Sequence, residues 1–253
     1  MRKVALALAT VGAAVFVLPL VGLLVRAPWS TALEQLGDEA SLEALRLSLV
    51  TSVVTTGISL VLGLPLAYVY ATIPFRGRTL VRALTTLPMV LPPVVGGVAL
   101  LFAFGSRGIV GEVLGWRLPF TTAGAVLAQV FVAMPFLVLT TEAGLRALDP
   151  RLVEAARSLG ASPWFTFRRV TLPLLRPALV AGAVLCWARA LGEFGATITF
   201  AGNFPGRTQT VPLAVYLQLE RRPEDAIVLS IVLLAISVAV LVALRDRYLS
   251  ALR

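Results

Sequence analysis

The sequence predicts an all-α, polytopic membrane protein with six transmembrane helices and a helical loop between the fourth and fifth. Two bulk properties and one pattern predict it. The 253 residues are 58% hydrophobic and only 14% charged, and the mean hydropathy is +0.91. A soluble domain carries about 25% charged and about 45–50% apolar residues, so the apolar excess must face lipid rather than a core. The pattern is a series of six apolar runs, each near the roughly 20 residues that cross a bilayer, separated by short connections.

The first run is Val4–Val25. Met1-Arg2-Lys3 before it imitates a signal peptide, but the uncharged stretch exceeds the roughly 7–15 residues of a signal core, and it is expected to stay as a span. Leu47–Ile73 is the second, Leu84–Phe104 the third and Ala123–Thr141 the fourth. Pro177–Phe200 is the fifth, interrupted by Arg189 and Glu193, and the charge-free Ala226–Leu244 is the sixth. Between them, residues 27–43 are expected to form a surface helix, residues 105–122 a Gly-rich connection, and Thr210–Leu219 an apolar stretch too short to span. The whole chain, 1–253, reads as one transmembrane unit.

Charge sets the orientation. With the N-terminus in the cytoplasm, the inside segments hold fourteen of the 22 basic residues and the outside segments seven, with Arg189 within the membrane. Glu34, Asp38, Glu39 and Glu43 all fall in the first outside connection. This asymmetry places both termini in the cytoplasm. The net charge of +9 is therefore a feature of span ends. No basic cluster interleaved with aromatics stands clear of the apolar runs, so no nucleic-acid partner is expected. With no histidine and one cysteine, Cys186, neither an internal disulfide nor a His/Cys metal site is expected.

The longest inside connection, Glu142–Arg176, is built unlike a linker. Asp149-Pro150 is a helix start, with an oxygen to cap free N–H groups and a proline suited to the first position. The helix carries Leu152, Glu154, Ala155 and Ala156, and Gly160 ends it as a residue free to adopt positive φ. Ser162-Pro163 repeats the start signal, opening a second helix with Trp164 and Phe165 that Leu172-Pro173 is expected to close before Pro177 opens span five. Two readings of this pair remain open: an interface for a partner protein with aromatic anchors, or an amphipathic pair resting at the lipid surface.

Glu154-Ala155-Ala156, Gly160 four residues on, and then Val170-x-Leu172-Pro173 resemble the cytoplasmic "EAA" loop of ABC importer permeases, with Val170 where the family usually has Ile. The resemblance implies that Glu154, Ala155, Ala156, Gly160, Trp164, Phe165, Leu172 and Pro173 couple to an ATP-binding subunit. This chain has no GxxxxGK[ST] loop of its own, so ATP and Mg are expected on the partner, with no cofactor and no catalytic residue here. The stretch Arg189–Thr197, continuing through Ala201-Gly202-Asn203-Phe204-Pro205-Gly206-Arg207-Thr208-Gln209-Thr210, is similar to molybdate/tungstate permeases. Sulfate permeases share the Gly-Glu-Phe-Gly core. The family arrangement implied is a homodimer with two ATP-binding cassette subunits and an extracytoplasmic oxyanion-binding protein.

Candidate path or gate residues follow from broken backbone and intramembrane charge. Pro92, Pro93 and Gly96 interrupt span three, as a packing kink or as the wall of a cavity. Arg189 and Glu193 are four apart and can pair, as a neutral structural pair or as a gate, with Gly195 and Thr197 beside them. Arg107, Arg117 and Arg207 lie outside, where they can meet an anion or the rim of a docked protein. A secondary anion transporter would not need the loop, and would be expected to show internal repeats or proton-relay residues; only Glu193 is available for such a relay.

Overall fold

The computed structural model describes residues 1–115 and 117–250; the last residues of the 1–253 unit, Arg253 among them, and Trp116 lie outside these. All regular structure among the described residues is helical, and six helical segments are long and apolar enough to cross a membrane. In chain order the helices are α1 Arg2–Val25, α2 Ala32–Gly37, α3 Glu39–Thr72, α4 Arg78–Thr86, α5 Pro93–Phe104, α6 Ile109–Leu114 and α7 Thr122–Ala147. They continue with α8 Pro150–Ser158, α9 Pro163–Thr166, α10 Leu172–Leu191, α11 Gly195–Ala201, α12 Val211–Arg221 and α13 Pro223–Ser250.

The centre is α7, which packs against α3 on one side and α10 on the other. Small residues let the backbones approach, as expected where lipid offers no hydrophobic drive between helices. A Cβ on Gly144 would lie 2.4 Å from that of Ala178, and one on Gly63 would lie 3.0 Å from Leu137. Polar groups add directional contacts. Gln129 of α7 donates to Thr51 Oγ1 at 3.1 Å and accepts from Thr55 Oγ1 at 3.0 Å, all three buried between α7 and α3. Ser48 Oγ accepts from the Val211 N–H at 2.7 Å, satisfying a free donor at the start of α12. In contrast, α1 buries no residue.

Span one stands close to expectation, and the other boundaries move for identifiable reasons. The second helix begins at Glu39 rather than Leu47, because Ser41, Ala44 and Ser48 continue its buried stripe. The expected surface helix over 27–43 shrinks to Ala32–Gly37. The third span is not Leu84–Phe104. Pro88, Pro92 and Pro93 break that run, leaving α4, a 3-10 turn at Leu87–Met89, and a spanning segment Pro93–Leu114 made of α5 and α6. The Gly-rich connection expected at 105–122 is therefore partly helix. Span four runs on to Ala147 and takes in Glu142 and Arg146, so the loop starts six residues later than expected. The last span opens at Pro223.

The largest correction concerns span five. Leu172-Pro173 does not close a short helix. From Pro163 to Leu191 the chain is continuously helical, passing through a π-turn at Phe167–Thr171 and into α10. Pro173 falls in the first turn of α10, directly after the π-turn, and Pro177 lies within the helix. The helix ends at Leu191, and residues 195–201 form a separate helix, α11, that packs on α5 and α7.

Candidate functional site

Three of the sequence candidates meet where α5 crosses α11. Pro92 is the N-cap of α5 and Pro93 its first residue, so neither missing N–H leaves a gap in the ladder. Opposite lies Gly195, the first residue of α11, so close that a Cβ there would sit 2.7 Å from Pro93 Cβ and 3.2 Å from the Val94 nitrogen. One turn along, a Cβ on Gly97 would meet Thr199 Cβ at 2.6 Å and the Ala196 carbonyl at 3.0 Å. Gly96 faces α7 instead, with the edge of Phe131 at 3.0 Å from its virtual Cβ. Gly97 was not among the candidates; the Gly96-Gly97 pair was the available signal, and only the fold tells which glycine faces which helix.

The turn into α11 is held by charge. Glu193 is 1% exposed, and its two oxygens do different work. Oε1 accepts from the Ala196 N–H at 2.8 Å, satisfying a free donor in the first turn of α11. Oε2 lies 2.6 Å from Arg189 Nη1, one turn back on α10. The chain leaves the α10 ladder at Gly192, so the expected single span breaks here into α10 and α11. Thr197 is fully buried in the first turns of α11, and its hydroxyl has no protein partner among the described residues. The floor beneath is apolar: Leu100 of α5, Ala128 and Val132 of α7, and Ala196 and Phe200 of α11.

At the other end of α7 the loop folds as its caps predict. Asp149 accepts from the Arg151 N–H at 2.9 Å and Ser162 from the Phe165 N–H at 3.2 Å. Gly160 has φ +81°, a conformation that penalises any Cβ. Glu154, Ala155, Trp164, Phe165 and Pro173 are exposed, Ala156 and Leu172 half-buried. Trp164 (68% exposed), Phe165, Leu152 and Leu159 are all exposed apolar side chains of this helix pair, left uncovered by the described residues. Its underside is anchored. Trp164 stacks on Phe167 at 5.9 Å, and Phe167 meets Tyr68 of α3 edge-on at 5.7 Å.

Arg117 and Arg207 are exposed on neighbouring loops, joined by an edge-on Phe120–Phe204 pair at 6.1 Å and by Thr122 Oγ1 donating to the Arg207 carbonyl at 2.8 Å. Arg107 stands exposed in the turn between α5 and α6.

Similarity to known proteins agrees with this architecture. The chain is 43% identical over 235 residues to the molybdenum transport system permease protein ModB of Mycobacterium bovis, covering 91% of this chain and 88% of the relative. It is 34% identical to the "Probable sulfate transport system permease protein cysT" of Marchantia polymorpha, over 77% of this chain and 68% of that one. A bacterial ABC transporter involved in import of the acidic polysaccharide alginate has the same fold, with TM-score 0.71 at 20% identity over 96% of this chain and 94% of that chain. Residues 42–252 match the family of binding-protein-dependent transport system inner membrane components, and the chain belongs to that family.

Proposed function

We propose that this chain is the membrane-spanning subunit of an importer fed by an extracytoplasmic binding protein and driven by ATP hydrolysis on a separate subunit, with molybdate or tungstate as cargo. The observation that carries the reading is the capped helix pair α8–α9, which leaves Trp164, Phe165, Leu152 and Leu159 exposed at one end of the bundle. Large exposed apolar surface marks an interaction site, and Trp is enriched among interface anchors. An ATP-binding subunit is the partner this surface serves. The cargo assignment rests on the higher identity to the molybdenum permease than to the sulfate one. The chain works as one transmembrane unit and pairs with a second copy, which gives the uncovered α5 face, with Val94, Val95, Val98 and Phe102 exposed, a protein neighbour.

The α5–α11 crossing is read as the wall of the translocation path, and the Arg189–Glu193 pair as its structural brace. A bare arginine in the path would trap a dianion that the conduit must release. Exposed Arg117 and Arg207 are read as rim contacts for the binding protein.

Trp164→Ala removes an anchor worth about 2 kcal/mol at an interface hot spot, and Gly160→Leu adds about 1–2 kcal/mol of backbone strain. Both variants are expected to insert normally and to lose copurifying ATPase. Full retention of the ATPase by both would transfer the helix pair to the lipid-interface reading.

Orientation is tested separately. In a Cys186→Ala background, cysteines at Arg157 and Pro205, both exposed, are expected to react with impermeant thiol reagents from opposite faces, Arg157 from the cytoplasm. Labelling of both from one face would overturn the six-span topology.

A further inference from the structure

Glu142, near the end of α7, is a second carboxylate only 1% exposed. Two arginines from different helices bracket it. Arg82 Nε of α4 lies 3.0 Å from Oε2. Arg146, one turn on along α7, donates through Nε to Oε1 at 3.0 Å, with Nη2 at 2.8 Å from the same oxygen. The arginines gather there for a reason the sequence supplies. The Tyr70 carbonyl of α3 would normally accept from the N–H four residues on, but that residue is Pro74 and has none. Arg146 Nη2 donates to this carbonyl at 3.3 Å, and Arg78 of α4 donates to it as well. Tyr70, whose ring is buried in the α3–α7–α10 core, also brings its hydroxyl to 2.7 Å from Thr85 Oγ1 of α4.

Three helices therefore meet in one polar joint. On its other side α4 leaves Leu80, Val81 and Leu84 exposed, so α4 is held to α3 and α7 mainly by these directional contacts. Apolar packing lets helices slide, whereas charge-assisted hydrogen bonds fix geometry. The joint lies at a mechanical crossroads. On one side α7 passes through Leu148 and Asp149 into α8. On the other α4 continues through the turn at Pro88 into α5, whose Pro93 and Gly97 bear directly on α11.

We propose that Glu142, clasped by Arg82 and Arg146, is the positioning residue through which displacement of the α8–α9 pair is carried to α4 and α5, and so to the α5–α11 crossing. The inference rests on the reading of α8–α9 as the surface that receives the ATPase. Glu142 touches no cargo in this account. It acts by making α4 move with α7.

The test uses the full complex with ATPase and binding protein in proteoliposomes, and reads three quantities: copurified ATPase, ATP hydrolysis, and molybdate uptake per ATP hydrolysed. Arg82→Ala is the main variant, since the Arg82 side chain is 44% exposed and its loss does not empty the core. Glu142→Gln is the second. Both are expected to assemble and to hydrolyse ATP near the wild-type rate, while uptake per ATP falls about tenfold, within the range of energetic coupling carried by such networks. Arg82→Lys, which keeps the charge beside Glu142, is expected to restore most of the ratio. An unchanged ratio in Arg82→Ala would overturn the proposal, as would parallel loss of hydrolysis and uptake, which marks a group needed only for folding. A wild-type chain that fails to hold any ATPase would instead remove the importer reading, and the proposal with it.

Discussion

Gly195→Val is expected to abolish transport. The atoms its side chain would strike are the Pro93 ring carbon at 2.7 Å and the Val94 backbone nitrogen at 3.2 Å, and neither can rotate away. Gly97→Val is expected to do the same through Thr199 Cβ at 2.6 Å and the Ala196 carbonyl. Overpacking a tight contact costs about 1–3 kcal/mol and often more where backbone must shift, and here the shift separates the two helices read as the path wall. The neighbouring glycines set the scale. Gly96→Ala meets the edge of the Phe131 ring, which can swing, and is expected to keep partial uptake. Gly192→Ala meets nothing nearer than the Ala188 carbonyl at 3.7 Å and is expected to transport normally. Uptake measured across the four variants at matched expression checks the order, and equal activity in all four would remove the close crossing as a functional element.

Glu193→Ala is expected to cost most among the charged positions, because one side chain both accepts from the buried Ala196 N–H and neutralises Arg189. Stranding a largely buried charge costs about 3–5 kcal/mol, and leaving the buried Ala196 N–H without its acceptor about 1–3 kcal/mol. Glu193→Gln separates the two roles. Its carboxamide oxygen can still accept from the Ala196 N–H, while Arg189 loses its counter-charge. The double variant Arg189→Gln/Glu193→Gln removes both charges and is expected to recover thermal stability and, since the pair is read as a brace, uptake as well. Recovery of stability without uptake would make the pair a gate.

The sequence was most legible where a local chemical rule decides the structure. Asp149-Pro150, Gly160 and Ser162-Pro163 each form the cap or turn their chemistry demands, and Arg189 pairs with Glu193 as the spacing of four requires. It was least legible where two rules compete. Leu172-Pro173 looked like a stop because proline breaks helices, yet a π-turn just before it carries the helix through. Span five looked continuous by hydropathy, yet the chain breaks at Gly192 and starts a new helix at Gly195, where Glu193 reaches the Ala196 N–H. Gly97 and the Glu142 joint depend on which residues of distant segments face one another, and periodicity alone does not carry that. Glu142 with Arg146 repeats the four-residue spacing of the other pair, but its third member, Arg82, lies sixty residues away in sequence.

Uptake by proteoliposomes that contain this chain, an ATPase subunit and a binding protein distinguishes an ATP-driven importer from a gradient-driven carrier. Molybdate is expected to accumulate only when ATP, ATPase and binding protein are all present, and the isolated permease is expected to bind the free anion weakly. Accumulation by this chain alone down an ion gradient, or tight anion binding by the isolated chain below about micromolar Kd, roughly −8 kcal/mol, would contradict it.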